Sequence, residues 1–158
     1  MLKPLSGILL KKRKVNKMKI EINDKIRKVE ISKPEHIAKI LVRVLKAESK
    51  NDRNKEHMWG IYLNARNNIK KIELISLGTL NTSIVHPREI YAPAVSSGTA
   101  SIIIAHNHPS GNEEPSESDD ITTKKLKEAG RILGIELLDH LIITESGKYY
   151  SFNEHQKI

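Results

Sequence analysis

The stretch SIIIAHNHPSGNEEPSESDD, residues 101–120, decides the fold that the sequence predicts. An unbroken apolar run ends in two histidines, His106 and His108, and a segment rich in Pro, Ser and Gly follows them. A short continuous apolar run is typical of a strand that is buried on both faces. The turn residues predict a loop, and Ser116 begins a segment that is typical of a helix start. The stretch therefore predicts a strand, a loop and a helix.

Downstream of this stretch, the pattern predicts the rest of the helix and then two strands. Four apolar residues recur at helical spacing and are expected to face inward, namely Leu126, Ala129, Ile132 and Leu133. Gly134 follows them as a helix stop. The segments IELLDHLIIT and YYSF, joined by the turn ESGK, are typical of strands.

Upstream, the sequence predicts two strands, two helices and a hairpin. The segments EHMWGIYLN and IKKIELISLG are typical of strands joined by the turn ARNN, and HPREIYAPAVSSG predicts a short helix. Before them, KNDRNK is a polar connector, and residues 33–50 form an amphipathic helix with Ser32 as N-cap and Pro34 in its first turn. The segment KIEINDKIRKVEIS predicts a hairpin around Asn23 and Asp24. We therefore expect an α/β domain with a central mixed sheet flanked by helices.

The positive charge is concentrated at the amino terminus. Residues 1–17 contain six Lys or Arg and no acid, and thus account for six of the eight net positive charges of the 158-residue chain. Three interpretations stay open: a disordered arm, a nucleic-acid contact or localisation signal, and a non-native extension before a start at Met18. We favour the first and third, so any nucleic-acid binding through this tail is expected to be weak.

Composition also bounds the class of protein. The chain has no cysteine, which excludes disulfides and thiolate metal ligands and fits a reducing compartment. No apolar run approaches the roughly 20 residues of a membrane span, and the basic cluster follows the first apolar stretch, the reverse of a signal peptide. We expect a cytoplasmic protein without a membrane partner.

His106 and His108 have the spacing of a metal site. Alternate residues of a strand share a face, so both imidazoles point the same way. The loop then leads to a helix whose first turn carries Asp119. Two histidines and one carboxylate, with a fourth position open to water, form a common catalytic zinc site. A structural alternative exists, because Ser116 and Asp119 also have the spacing of a helix capping box.

The other histidines favour structural interpretations. His57, His86 and His140 are expected to be hydrogen-bonded core residues. His36 and His155 are expected at the surface or at a helix start.

The segment HNHPSGNEEPSESD resembles the JAMM signature of the JAB/MPN metallopeptidases. Further segments, from about Glu56 to Phe152, resemble the RadC branch of that superfamily in order and spacing: GTLN, HPREIY, AHNHPSG, PSESD, LKEAGRILGIELLDHLII and YYSF. The resemblance implies a three-layer, cytidine-deaminase-like domain over residues 56–158. Residues 18–55 then form an N-terminal hairpin and helix, and residues 1–17 a basic tail.

The resemblance also implies an activity and its residues. One Zn²⁺ per chain would be held by His106, His108 and Asp119. Glu56 would be the general base, and Ser116 would donate to the oxyanion. The implied reaction is hydrolysis of an amide, peptide or isopeptide bond in an unidentified protein or peptide substrate.

Two other functional classes compete with hydrolysis. A zinc nucleobase deaminase needs two cysteine ligands, and the chain has none. A non-catalytic module of a DNA repair, recombination or mobile-element system is the remaining alternative. Longer RadC proteins resemble a fusion of this domain to a DNA-contacting helix-hairpin-helix region, for which residues 1–55 are too short. The DNA-repair association is therefore expected to transfer poorly.

Overall fold

The computed structural model describes residues 9–10, 19–27, 30–78 and 85–158 of the chain. Their elements follow in this order: β1 (Leu9–Leu10), β2 (Lys19–Glu21), α1 (Asp24–Arg27), α2 (Pro34–Ala47), α3 (Lys50–Arg53), β3 (Glu56–Leu63), β4 (Ile69–Gly78), α4 (Pro87–Ser96), β5 (Ser101–Asn107), α5 (Glu117–Leu133), β6 (Glu136–Ile143) and β7 (Tyr149–Ser151). The predicted strand, loop and helix at residues 101–120 are thus confirmed. Within the described ranges, no helix is both long and apolar enough to cross a membrane.

The described strands form one mixed sheet of seven strands in the order β1-β2-β4-β3-β5-β6-β7. Neighbouring strands run antiparallel, except that β5 and β6 are parallel. A parallel pair needs a crossover connection, and α5 supplies it. All seven residues of β5 are buried, which confirms the prediction that this strand lies inside the sheet.

The sheet separates two apolar layers, so the fold has three layers, as predicted. On one face, Ile37 and Leu41 of α2 belong to the same buried apolar cluster as Trp59 and Ile61 of β3. On the other face, α4 and α5 cover Tyr62 of β3 and the β5 residues Ile102 and Ile104, with Leu126 as the main contact from α5. Alternate residues of each strand therefore serve opposite layers.

The predicted hairpin around Asn23 and Asp24 is wrong. Strand β2 leads instead into the short helix α1, and its own sheet partners are β1 and β4. The reason is local, because the side-chain oxygen of Asn23 accepts a hydrogen bond from the backbone N–H of Ile26 at 3.0 Å. An Asn that caps a helical turn in this way does not form the two-residue turn of a hairpin.

Three other predictions about the amino-terminal half need correction. Helix α2 begins at Pro34 with Lys33 as its N-cap, so Ser32 does not cap it. The segment KNDRNK is more than a connector, because its first part forms α3, where the Ser49 hydroxyl accepts the backbone N–H of Asp52 at 3.1 Å. Within the tail predicted to be disordered, Leu9–Leu10 forms β1 and pairs with β2. The other residues of that tail lie outside the described ranges.

The inward face of α5 also differs from the prediction. The helix turns Thr123, Leu126 and Gly130 towards the sheet. Ile132 then lies on the opposite side and is 71% exposed, while Leu133 is 48% exposed. Leu133 belongs to the last turn, after which Gly134 adopts a left-handed conformation with φ of 68° and directs the chain into β6.

Candidate metal centre

The site lies where β5 ends and α5 begins, on the face of the sheet that α4 and α5 cover. His106 is the second-last residue of β5, and His108 follows the strand directly. Asp119 is the third residue of α5. Since α5 crosses back over the sheet from the end of β5, its first turn stays close to the two histidines. The structure therefore brings together all three residues that were predicted to hold a metal.

The ligand atoms of these residues converge. The Nε2 atom of His106 lies 3.1 Å from Oδ1 of Asp119, and the Nε2 atom of His108 lies 3.4 Å from Oδ2. The two Nε2 atoms are 3.0 Å apart. Across the described part of the chain, these three residues form the one group of three or more His, Asp or Glu side chains able to hold a metal, with ligand atoms within 4.8 Å of one another.

The ring of His108 is oriented by the loop that follows it. Its Nδ1 atom lies 2.8 Å from the carbonyl oxygen of Asn112. A carbonyl oxygen only accepts hydrogen bonds, so Nδ1 must carry the proton and donate it. In the neutral ring, Nε2 then presents a lone pair to Asp119 and His106, which is the state that binds a metal ion.

The electrostatics of the site favour a cation between these groups. Burial by itself would raise the pKa of Asp119, but the adjacent imidazoles of His106 and His108 hold that pKa well below its usual range. The adjacent Asp119 carboxylate, which favours the protonated ring, is also the main cause that raises the pKa of His108, against the opposing effect of burial. A carboxylate that stays ionised beside two imidazoles is a strong attractor of positive charge.

The donor set fits a divalent cation. Two imidazole nitrogens and one carboxylate meet at 3.0 to 3.4 Å, and their lone pairs repel unless a proton or a cation lies between them. Imidazole and carboxylate donors without sulfur suit first-row divalent metals such as zinc. His106, His108 and Asp119 could therefore bind one divalent ion and leave further positions to water or substrate.

Ser116 and Asp119 form the capping box that was considered as the alternative. The Ser116 hydroxyl accepts the backbone N–H of Asp119 at 3.1 Å, and the Ser116 backbone N–H donates to Oδ2 of Asp119 at 2.8 Å. The same carboxylate faces His106 through its other oxygen. Capping and metal binding are thus compatible, because the cap fixes the carboxylate in the orientation that the histidines need.

Glu56 lies at the start of β3, beside the site but outside the group of three. Its half-buried side chain shares a face with Met58, which pairs directly with His106 of β5. The charge of Glu56 contributes, after the larger effect of Asp119, to the raised pKa of His108. The structure therefore places this carboxylate near the three candidate metal ligands but outside their group.

The other histidines mostly follow the sequence interpretation. His57 is buried on the opposite face of the sheet, where it stacks on Trp59. His36 is half-buried in the first turn of α2, and His155 is exposed. The prediction for His86 is wrong, because it is exposed as the N-cap of α4, a position that Pro87 at the first helical turn favours.

His140 is a core histidine as predicted, but it also belongs to the site. Its Nε2 atom lies 2.9 Å from Nδ1 of His106, and its Nδ1 atom lies 2.6 Å from the Thr123 hydroxyl. Burial, and then the neighbouring His106, lowers the pKa of His140 well below its usual value. The sequence spacing of Thr123, one helical turn after Asp119, indicates that Thr123 lies on the same face of α5 as Asp119, from which it contacts His140. The sequence could not predict that His140 lies beside β5, because this depends on the pairing of β5 with β6.

Comparisons with known proteins give a matching family model and several relatives of this chain. A family model described as RadC-like JAB domain matches residues 31–157. A UPF0758 protein of Chlorobium chlorochromatii is 48% identical over 103 residues, which cover 65% of this chain and 46% of the relative. A UPF0758 protein of Shouchella clausii is 42% identical over 136 residues, covering 86% of this chain and 56% of the relative. The chain spans about half the length of these relatives, and their names state no activity.

Proposed function

The chain belongs to the RadC-like JAB domain family, and on that premise we propose that it is a zinc-dependent hydrolase of amide bonds in peptides or proteins. The observation that carries the proposal is the convergence of the two imidazole Nε2 atoms and the Asp119 carboxylate within 4.8 Å. Two histidines and one carboxylate with an open position form a donor set that catalytic zinc sites use. Peptide and isopeptide bonds are the substrate class that the family resemblance implies.

His106, His108 and Asp119 would hold the zinc ion in this proposal. Zinc would supply Lewis acidity, which makes water a nucleophile at neutral pH. Glu56 would accept a proton from the attacking water and return it to the leaving amine. Its half-buried position at the start of β3, on the face of His106, supports this role.

Ser116 would donate a hydrogen bond to the oxyanion that forms on the attacked carbonyl. In the structure its hydroxyl lies 2.8 Å from Oδ2 of Asp119 and donates to it. The oxyanion role therefore requires the hydroxyl proton to turn away from Asp119, while the backbone N–H of Ser116 keeps the cap.

Metal analysis combined with a digest of a peptide library tests the proposal. The purified chain should contain about one zinc ion, and it should cleave library peptides in a reaction that a chelator stops and added zinc restores. Zinc binding without any cleavage would favour the non-catalytic module of a DNA transaction system. A chain that binds no divalent metal would overturn the proposal altogether.

A further inference from the structure

A chain of hydrogen bonds starts at Nδ1 of His106, on the side of the ring away from the candidate metal site, and ends at the backbone of Asp119. Nδ1 of His106 is 2.9 Å from Nε2 of His140, and Nδ1 of His140 is 2.6 Å from the hydroxyl oxygen of Thr123. That hydroxyl donates to the backbone carbonyl of Asp119 at 2.7 Å. Three elements, β5, β6 and α5, thus meet in one connected set of side chains.

The donor and acceptor of every hydrogen bond in this chain follow from the group at its end, the backbone carbonyl of Asp119. The Asp119 carbonyl only accepts, so it takes the single hydroxyl proton of Thr123. His140 must then donate from Nδ1, and in a neutral ring its Nε2 becomes an acceptor. Full burial favours that neutral ring. His106 therefore donates from Nδ1, and its Nε2 keeps a free lone pair directed at Asp119 and His108.

We propose that His140 and Thr123 are positioning residues that hold His106 in the Nδ1–H tautomer, with Nε2 ready to bind a divalent cation. Histidines that bind metals are commonly oriented by a hydrogen bond from the second ring nitrogen, and loss of that partner lowers metal affinity. Here the partner is itself an imidazole, whose own tautomer is set by a threonine one helical turn after the ligand Asp119.

The packing around His140 supports a fixed orientation. Its ring stacks on Phe152 with centroids 4.7 Å apart and an interplanar angle of 11°. Its carbonyl oxygen accepts the backbone N–H of Phe152 at 3.0 Å. On the other side, His140 is the register partner of Ile104 in β5, two residues before His106. The imidazole therefore has little freedom to turn away from His106.

The inference rests on the proposed function only in requiring a divalent cation at this site. It is tested by the zinc affinity of the purified full chain, measured by competition with a chromophoric chelator. Thr123→Val keeps the shape of the side chain and removes the hydroxyl, whereas Thr123→Ser restores the hydroxyl. We expect Thr123→Val to lower zinc affinity about 10-fold or more, and Thr123→Ser to stay close to wild type.

His140 is tested in the same assay. His140→Leu removes both nitrogens and should lower zinc affinity about 10- to 100-fold. His140→Gln keeps a donor and an acceptor and should recover part of the loss. The matched control is His57→Leu, the same change at a buried histidine on the other face of the sheet, which should leave zinc affinity unchanged. If His140→Leu does not fold, the threonine pair decides the question.

A spectroscopic readout separates tautomer control from simple packing. In long-range ¹H–¹⁵N spectra of the metal-free chain, His106 should be the Nδ1–H tautomer, and Thr123→Val should increase the Nε2–H form. Wild-type zinc affinity in both Thr123→Val and His140→Leu would overturn the inference alone. Zinc binding without hydrolysis would overturn the proposed function alone. A wild-type chain that binds no divalent cation would overturn both.

Discussion

Met58 of β3 and His106 of β5 are direct register partners, and this pairing decides where Glu56 lies. Directly opposed residues in a sheet project from the same face. Glu56, two residues before Met58, therefore projects from the face that carries His106, at the end of the sheet where His108 leaves β5. In the proposed function, a carboxylate in that position would act on a water molecule near the candidate metal ligands without itself binding the metal.

Replacing Glu56 by glutamine should separate proton transfer from metal binding. Glu56→Gln keeps the size of the side chain but cannot accept a proton at neutral pH. Zinc content should stay at the wild-type level, while the hydrolytic rate falls by roughly 10²- to 10⁴-fold. Glu136→Gln is the control, because Glu136 starts β6 at the opposite end of the sheet. Zinc loss in Glu56→Gln would make Glu56 a ligand or a structural residue. Full activity would move the base elsewhere, and Glu113 and Glu114, in the loop between β5 and α5, would be tested next.

Replacing His108 by alanine should remove tight zinc binding. The variant loses one of three ligands, and the remaining two cannot complete the site. The wild type should contain about one zinc ion per chain by elemental analysis after dialysis. His86→Ala is the control and should keep its zinc, because His86 is exposed at the start of α4. Equal zinc in the two variants would show that the site is assigned to the wrong residues.

Replacing Ser116 by alanine should affect both rate and stability. The hydroxyl accepts the backbone N–H of Asp119 as the cap of α5, and removal of such a cap costs about 0.5–2 kcal/mol. Loss of an oxyanion donor should also lower the rate by roughly 10²- to 10³-fold. Zinc should be retained. Urea unfolding and kinetics on the same preparation check the two effects, and a loss of stability with a wild-type rate would leave Ser116 as a cap only.

Replacing Gly130 by alanine should destabilise the fold, although this change usually stabilises a helix by about 1 kcal/mol. A Cβ atom at Gly130 would clash with the carbonyl oxygen of Ile135 and would lie 2.5 Å from the Tyr91 hydroxyl. Overpacking of this kind costs roughly 1–3 kcal/mol. Thermal unfolding measures the effect, with the exposed Lys125→Ala in the same helix as control. A rise in melting temperature for Gly130→Ala would contradict the close packing of α5 on α4.

The buried Tyr91 should make stability fall at alkaline pH. Burial raises the pKa of Tyr91 to about 12, whereas a tyrosine in the unfolded chain has a pKa near 10. The folded state thus retains the phenolic proton more strongly, so this contribution is fully present below about pH 10 and is lost between about pH 10 and 12. Unfolding free energies from pH 8 to 11.5 should decline less steeply in Tyr91→Phe. An unchanged slope would show that the Tyr91 phenol does not titrate with unfolding.

Residues 101–120 illustrate what could be predicted locally. The strand alternation set His106 and His108 on one side, and the helix start placed Asp119 one loop away. Both features depend on neighbours within a few residues. The same reasoning failed at Asn23, where turn and cap use the same residue type and only the surrounding chain decides between them.

The sequence by itself therefore determined which three side chains converge at the candidate metal site, the strand-loop-helix that carries them and the three-layer class of the fold. Only the tertiary structure decided that His140 stands behind His106, because that contact depends on the parallel pairing of β5 and β6 across 34 positions of sequence. The tertiary structure also decided that Ile132 is exposed, because α5 packs on the sheet through Thr123, Leu126 and Gly130 and leaves Ile132 on its outer side. The spacing of residues along one element determines which side chains share a face of that element. The order of the strands and the packing of the helices determine which residues that face contacts.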